Sequence, residues 1–179
     1  MIILASKSPR RKELLKQIVS DFKIVVPNID EYLYPFEELS LAKAKSIIND
    51  YPNDIIISAD TLVIMNSKVF GKPKDCGQAK QMLMELSNKM HEVKTVYTIL
   101  SKDYEVTKIV TSKVYFNKLS DQLIDDYVKT LSPLDKAGGY GIQDKDYPLV
   151  NHIEGSYSNI VGLPLEELKN DLINLKIIS

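Results

Sequence analysis

Apolar positions along this 179-residue chain follow two periods, and together they predict alternating strands and helices. Continuous apolar runs at 2–5 and 55–58 read as buried strands. Leu14, Leu15 and Ile18 keep helical spacing and predict a helix over 9–18, followed by a strand at 22–26 and an irregular stretch over 27–35. A helix over 37–49 carries Lys43 and Lys45. The 55–58 run ends in Ala59-Asp60-Thr61, so Asp60 is expected at the end of a central strand. A second strand over 62–65 turns at Asn66-Ser67 and returns through Val69-Phe70 as a hairpin. Asp75 is placed to cap a helix reaching Leu86, and Ser120 one reaching 131. Between them, 93–101 and 105–116 read as two long strands joined near Lys102-Asp103. Val110, Ser112, Val114 and Phe116 lie on one face of the second, with Thr111, Lys113 and Tyr115 on the other. A Gly- and Lys-rich loop over 132–147 holds one short strand at 140–143. A strand at 149–153 follows, and Pro164 opens a C-terminal helix. Antiparallel hairpins among alternating helices predict an α/β fold with a mixed sheet.

Composition narrows the partners. Hydrophobic residues make up 44% and charged residues 26%, the balance of a soluble globular protein. A net charge of −1 provides no broad electrostatic surface for nucleic acid or anionic lipid, so any polyanion must be small and held locally. The single Cys76 excludes an internal disulfide or a cysteine-based zinc site and fits a reducing compartment. No apolar run approaches the roughly 20 residues that cross a membrane. The first such run spans four residues and is followed by charge, unlike a signal peptide. The expectation is a cytoplasmic protein.

Of 23 basic residues only Arg10 and Arg11 are arginine. A guanidinium is a planar fork that grips phosphate or carboxylate through two bonds, which an ammonium cannot do. Ser8 is a plausible N-cap with Pro9 at the first helical position, so both arginines open a helix beside a cap hydroxyl. A phosphate site outweighs the alternative of two solvated cations, which the helix dipole disfavours at that end. Asp60, beside Thr61 after an apolar strand, is the leading catalytic residue: it could bind a divalent metal or take a proton from water, against the plainer role of making a turn. Asp30-Glu31 offers hard oxygen ligands, a weak signal alone. Lys72, in Gly71-Lys72-Pro73-Lys74, is projected from a turn as a phosphate-binding lysine would be, with a simple post-hairpin turn equally compatible.

The run Lys136-Ala137-Gly138-Gly139-Tyr140-Gly141-Ile142-Gln143 is the densest glycine cluster. It lacks the spacings of dinucleotide and P-loop motifs, yet it lets backbone approach a ligand and gives Gln143 an amide suited to a base edge. His91 and His152 lie far apart in sequence, and no nucleophile triad or zinc cluster is visible.

Taken in order, LASKSPRRKELL (4–15), DE (30–31), KA (43–44), SADTLVI (58–64), GKP (71–73), DKAGGYGIQ (135–143) and GSYSNIVGLP (155–164) closely resemble the Maf family of nucleoside triphosphate pyrophosphatases. The resemblance spans nearly the whole chain and implies one domain over 1–179. It also implies a strongly twisted mixed sheet with helices on both sides and two lobes around a cleft. The implied activity is metal-dependent hydrolysis of a nucleoside triphosphate to monophosphate and pyrophosphate, with Mg²⁺ or Mn²⁺ held by Glu31 and Asp60. Asp60 falls on the family's proton acceptor, and Arg10, Thr61 and Gln143 fall on its specificity positions. Ser8, Arg11, Glu31, Lys43 and Lys72 match other motif positions lining the cleft, and Ser8, Arg10, Arg11, Lys43 and Lys72 are the expected phosphate contacts. The Y-x-I-Q form resembles the branch acting on dTTP and UTP, and the family implies a homodimer and a link to arrest of septum formation. Three departures stand out: Asp144 where Gly commonly follows I-Q, Asn88 where Gly is usual after Leu-Ser, and no Gly near the end of the first helix.

Two other classes share parts of this pattern. A nucleotidyltransferase also opens with a strand, Ser and Arg, but usually through a Gly-rich loop, and this chain has no glycine before Gly71. A non-catalytic, nucleotide-responsive regulator of septum formation would need no intact Asp60.

Overall fold

The computed structural model describes residues 1–179. Seven strands form one mixed sheet in the order β2-β1-β3-β5-β6-β7, with β4 paired to β3. These are β1 (Ile2–Ala5), β2 (Lys23–Ile24), β3 (Ile55–Met65), β4 (Lys68–Phe70), β5 (Met90–Leu100), β6 (Glu105–Phe116) and β7 (Val150–Glu154). Six α-helices are interspersed: α1 (Pro9–Leu15), α2 (Phe36–Ile48), α3 (Cys76–Leu86), α4 (Asp121–Lys129), α5 (Tyr157–Val161) and α6 (Leu165–Asn174). The α/β class and the mixed sheet agree with the sequence: β1 pairs in parallel with β2 and β3, while β4 and β7 are antiparallel to their neighbours.

The chain divides into two compact units: 1–60, 95–110 and 162–179 form the first, and 61–94 with 111–161 the second. In the first, α2 lays Ala44 and Ile47 against Ile3, Ala5, Ile56 and Leu100 of three strands. In the second, α3 and α4 bury Leu83, Leu86, Ile124 and Tyr127 with Val114 and Phe116 of β6. The period-two alternation predicted for β6 is present: Ser112, Val114 and Phe116 are buried while Thr111 and Lys113 are exposed.

Four sequence expectations are corrected. The strand at 55–58 and the one at 62–65 are a single eleven-residue β3, so Asp60 is mid-strand rather than at a strand end. What ends near Asp60 is a ladder: β1 pairs with β3 as far as Ser58, and β4 takes up pairing from Val63. The first helix stops at Leu15 instead of continuing to 18, and residues 16–18 form turns. No strand forms at 140–143, because Gly138 and Gly139 at φ of 75° and 74° redirect the backbone and Tyr140 is drawn into the core. The five-residue α5 was not foreseen.

Candidate active site

The chain leaves β1 through Ser6-Lys7-Ser8. Ser8 N–H donates to the Ser6 hydroxyl at 3.1 Å, and Ser8 Oγ accepts the Arg11 N–H at 3.3 Å, so Ser8 is the N-cap that the sequence indicates. That bond satisfies one of the free amides at the start of this seven-residue helix, which shifts the weight of any phosphate contact onto side chains. Arg11 Nε donates to the Gly162 carbonyl at 2.7 Å, within the same unit. Burial of the guanidinium pulls its pKa below the ordinary arginine value; Asp60 pulls it back up, Arg10 pushes it down and Glu31 raises it again. Those influences place Arg10, Arg11, Glu31 and Asp60 in one electrostatic neighbourhood.

Helix α2 brings the second cation. Its inward stripe is Leu39, Ser40, Lys43, Ala44 and Ile47, so Lys43 lies on the core-facing side. Lys45, two positions on, is exposed and pairs with Glu105 at 3.5 Å. Successive β3 side chains alternate, so Ser58 and Asp60 share a face, with Thr61 on the other. On that shared face, Ser58 Oγ donates to the Ser40 carbonyl of α2 at 2.6 Å, and Asp60 Oδ2 contacts Lys43 Nζ one helical turn on. Ser40 Oγ continues the link, 2.8 Å from Thr98 Oγ1, which is 2.8 Å from Thr107 Oγ1. This hydroxyl row spans α2, β5 and β6 and was invisible in the sequence, where buried serines look like surface ones. Its signal is Ser40 falling within the apolar stripe of α2.

Glu31 completes the group. Asp30 caps a short 3₁₀ turn, Glu31–Leu33, by accepting the Tyr32 N–H at 3.1 Å. Asp30 is thereby spent locally, and Glu31 Oε1 reaches Lys43 Nζ at 2.8 Å. Lys43 thus bridges two carboxylates with its side chain 10% exposed, against 17% for Asp60 and 55% for Glu31. Two cations, Arg11 and Lys43, balance two anions, Glu31 and Asp60, and Arg10 leaves the cluster net positive. No group of three or more His, Cys, Asp or Glu is arranged to hold a metal ion. The pair Glu31 and Asp60 nonetheless suits a magnesium-like ion, which takes one or two carboxylates and completes its shell with waters and substrate phosphate.

Thr61, Lys72 and Gln143 belong to the second unit. Lys72 is exposed next to Gly71, whose carbonyl accepts the Gly138 N–H at 3.1 Å, tying the lysine turn to the glycine loop. Gln143 is exposed at the tip of that loop. A cavity of about 140 Å³ in this unit is lined by Tyr127, Thr130, Ser132, Asp144, Asp146 and Tyr147, and none of the ionic cluster lines it.

The chain also has relatives among known proteins. The Maf-like protein family matches residues 1–175, and the chain belongs to that family. Among its relatives, the dTTP/UTP pyrophosphatase of Thermosipho melanesiensis is 47% identical, with 99% of each chain covered. That of Clostridium botulinum strain Kyoto is 45% identical over 97% of this chain and 96% of its own. The enzyme of the same name from Bacillus cytotoxicus is 42% identical over 95% and 93%. A solved structure, the Staphylococcus aureus Ham1 protein, aligns over 67% of this chain and 72% of its own at 16% identity and a TM-score of 0.49. No helix here is long and apolar enough to cross a membrane.

Proposed function

We propose that this chain hydrolyses dTTP and UTP to the monophosphate and pyrophosphate. The observation that carries it is Lys43 bridging Glu31 and Asp60 beside the guanidinium of Arg11. The family relatives named dTTP/UTP pyrophosphatase support the substrate class.

Arg10, Arg11 and Lys43 hold the triphosphate and neutralise charge that grows on the leaving pyrophosphate. Asp60 orients a water towards the α-phosphorus and takes its proton as the new P–O bond forms; the α–β bridging bond breaks and its electrons leave with pyrophosphate. A divalent cation, when bound by Glu31 and Asp60, supplies positive charge to phosphate oxygens and makes water more acidic. Lys43 releases its carboxylates as phosphate oxygens replace them. In this reading Ser8 and Lys72 contact phosphate, and Arg10, Thr61 and Gln143 govern substrate choice, roles that the family resemblance supports. It also supports a cytoplasmic homodimer, which light scattering should report as about twice the 20.3 kDa chain.

Pyrophosphate release measured across a nucleotide panel with Mg²⁺ or Mn²⁺ should rank dTTP and UTP first. Asp60→Asn should lower kcat by about 10²–10⁴-fold while calorimetry still detects nucleotide binding. Turnover near wild type in that variant removes Asp60 from the base role. Hydrolysis with water alone, needing no phosphorylated acceptor, separates this activity from nucleotidyl transfer. A septum phenotype that survives Asp60→Asn would favour the regulator.

A further inference from the structure

Gln143 is exposed, yet both of its flanks end on one buried phenol oxygen. Two residues before it, the Gly141 N–H donates to Tyr127 Oη at 2.9 Å. One residue after it, Asp144 Oδ2 accepts from that same Tyr127 hydroxyl at 2.6 Å. Ser132 Oγ donates to Asp144 Oδ2 at 2.8 Å, and Lys136 Nζ donates to Ser132 Oγ at 2.9 Å. The loop closes on itself through Asp144 N–H to the Gly141 carbonyl at 3.0 Å and Lys145 N–H to the Gln143 carbonyl at 2.9 Å. Tyr127 is fully buried in α4 and is the fixed point of the assembly.

We infer that Tyr127 and Asp144 are positioning residues that set the nucleobase discrimination of this chain by clamping the turn that presents Gln143. The inference rests on the proposed action on pyrimidine triphosphates. Its chemistry is a directional chain. An ionised carboxylate can only accept, so Asp144 fixes both hydroxyl hydrogens on itself; the Tyr127 oxygen then has a lone pair left only for the Gly141 amide. Bonds to a charged acceptor are the stronger kind, and successive donors polarise one another. A Cβ at Gly141 would meet Lys136 Cε at 2.8 Å, Lys136 Cδ at 2.9 Å and Asp144 Oδ2 at 3.1 Å, so the clamp's own side chains crowd this backbone. A donor–acceptor amide rejects a wrong base only when it cannot turn to suit it, and an exposed glutamine on a loose loop would follow the ligand. Asp144 stands where the resemblance leads one to expect glycine, so the lower half of this clamp is a feature of this chain's own sequence.

Three full-length variants test it: Tyr127→Phe, which removes one oxygen and keeps the ring, Asp144→Ala, and Asp144→Asn. Two quantities are read in each: deuterium uptake across 140–147, and the ratio of kcat/KM for dTTP to that for dGTP. In Tyr127→Phe and Asp144→Ala, uptake should rise and the ratio should fall about five- to tenfold, the worth of one or two lost hydrogen bonds. The loss should appear as a larger KM for dTTP more than as a smaller kcat. Asp144→Asn, which keeps an acceptor, should recover part of both. A merely structural role would lower turnover of both nucleotides together and leave the ratio alone. Unchanged uptake overturns the clamp; faster uptake with an unchanged ratio overturns its part in discrimination. If the wild-type enzyme itself fails to prefer dTTP over dGTP, the proposed function is at fault and the discrimination falls with it, a result visible before any variant is made.

Discussion

Lysine is among the residues least often buried without a partner, and Lys43 is buried here because two carboxylates meet its ammonium. The ammonium and Asp60 are aligned by the pair one step earlier on each element, Ser40 and Ser58. That places a test on a serine two positions from Asp60. Ser58→Ala deletes the donor to the Ser40 carbonyl and should cost about 1 kcal/mol in urea denaturation. Because that bond fixes Ser40 against Ser58 beside the Lys43–Asp60 contact, kcat should fall further than the small stability loss implies. An unchanged kcat would show that Lys43 and Asp60 find each other without the serines. At this scale the sequence was informative for the charged groups: Arg11, Glu31, Lys43 and Asp60 were each singled out, and the first unit gathers them. Asp30, offered with Glu31 as a ligand, instead caps a turn. The hydroxyl row is marked in the sequence only by Ser40 within the apolar stripe of α2, because a serine by itself carries no sign of burial.

At the scale of elements, caps and alternation were legible and continuity was not. Asp75 and Ser120 cap α3 and α4 through the Gln78 and Leu123 amides, as their positions before apolar periods indicate. Strand β3 was split in two because Ser58-Ala59-Asp60-Thr61 breaks its apolar run, yet the backbone stays extended through those residues. Polar side chains there serve the site rather than end the strand. Asn88, found in place of an expected glycine, adopts a φ of 59°, a left-handed conformation that asparagine tolerates. Gly138 has no such substitute. Its φ is 75° and a Cβ would lie 3.1 Å from Val63 Cγ2, so Gly138→Ala should lose about 2 kcal/mol from backbone strain and crowding. The measure is the urea midpoint, and an unaltered midpoint would mean that the loop relocates at no cost.

For the whole molecule, one buried side chain contributes a defined share of the acid response. His91 is 1% exposed, with Nε2 2.6 Å from the Tyr140 hydroxyl and its ring edge-on to Phe116 and Tyr140. Burial pulls its pKa from 6.5 to about 4. The unfolded chain takes up the proton near the ordinary value while the folded chain refuses it. The His91 contribution to stability is therefore complete above about pH 6.5 and declines towards about pH 4, by about 1.4 kcal/mol per pH unit inside that window. Between pH 7.5 and pH 5 wild type should lose about 2 kcal/mol more than His91→Gln, read from paired urea titrations. Equal losses would mean that His91 is protonated within the fold.

The chain passes between its two units four times, at 60–61, 94–95, 110–111 and 161–162, and the first three passages fall inside β3, β5 and β6. No stretch of gene encodes either unit by itself. A fragment covering 61–161 would bring along Val96, Tyr97, Ile99 and Leu100, apolar residues that belong to the other unit's strands. A single contiguous exchange of gene sequence therefore cannot trade the half bearing the acid, or the half bearing the glutamine, without cutting strands that both halves share.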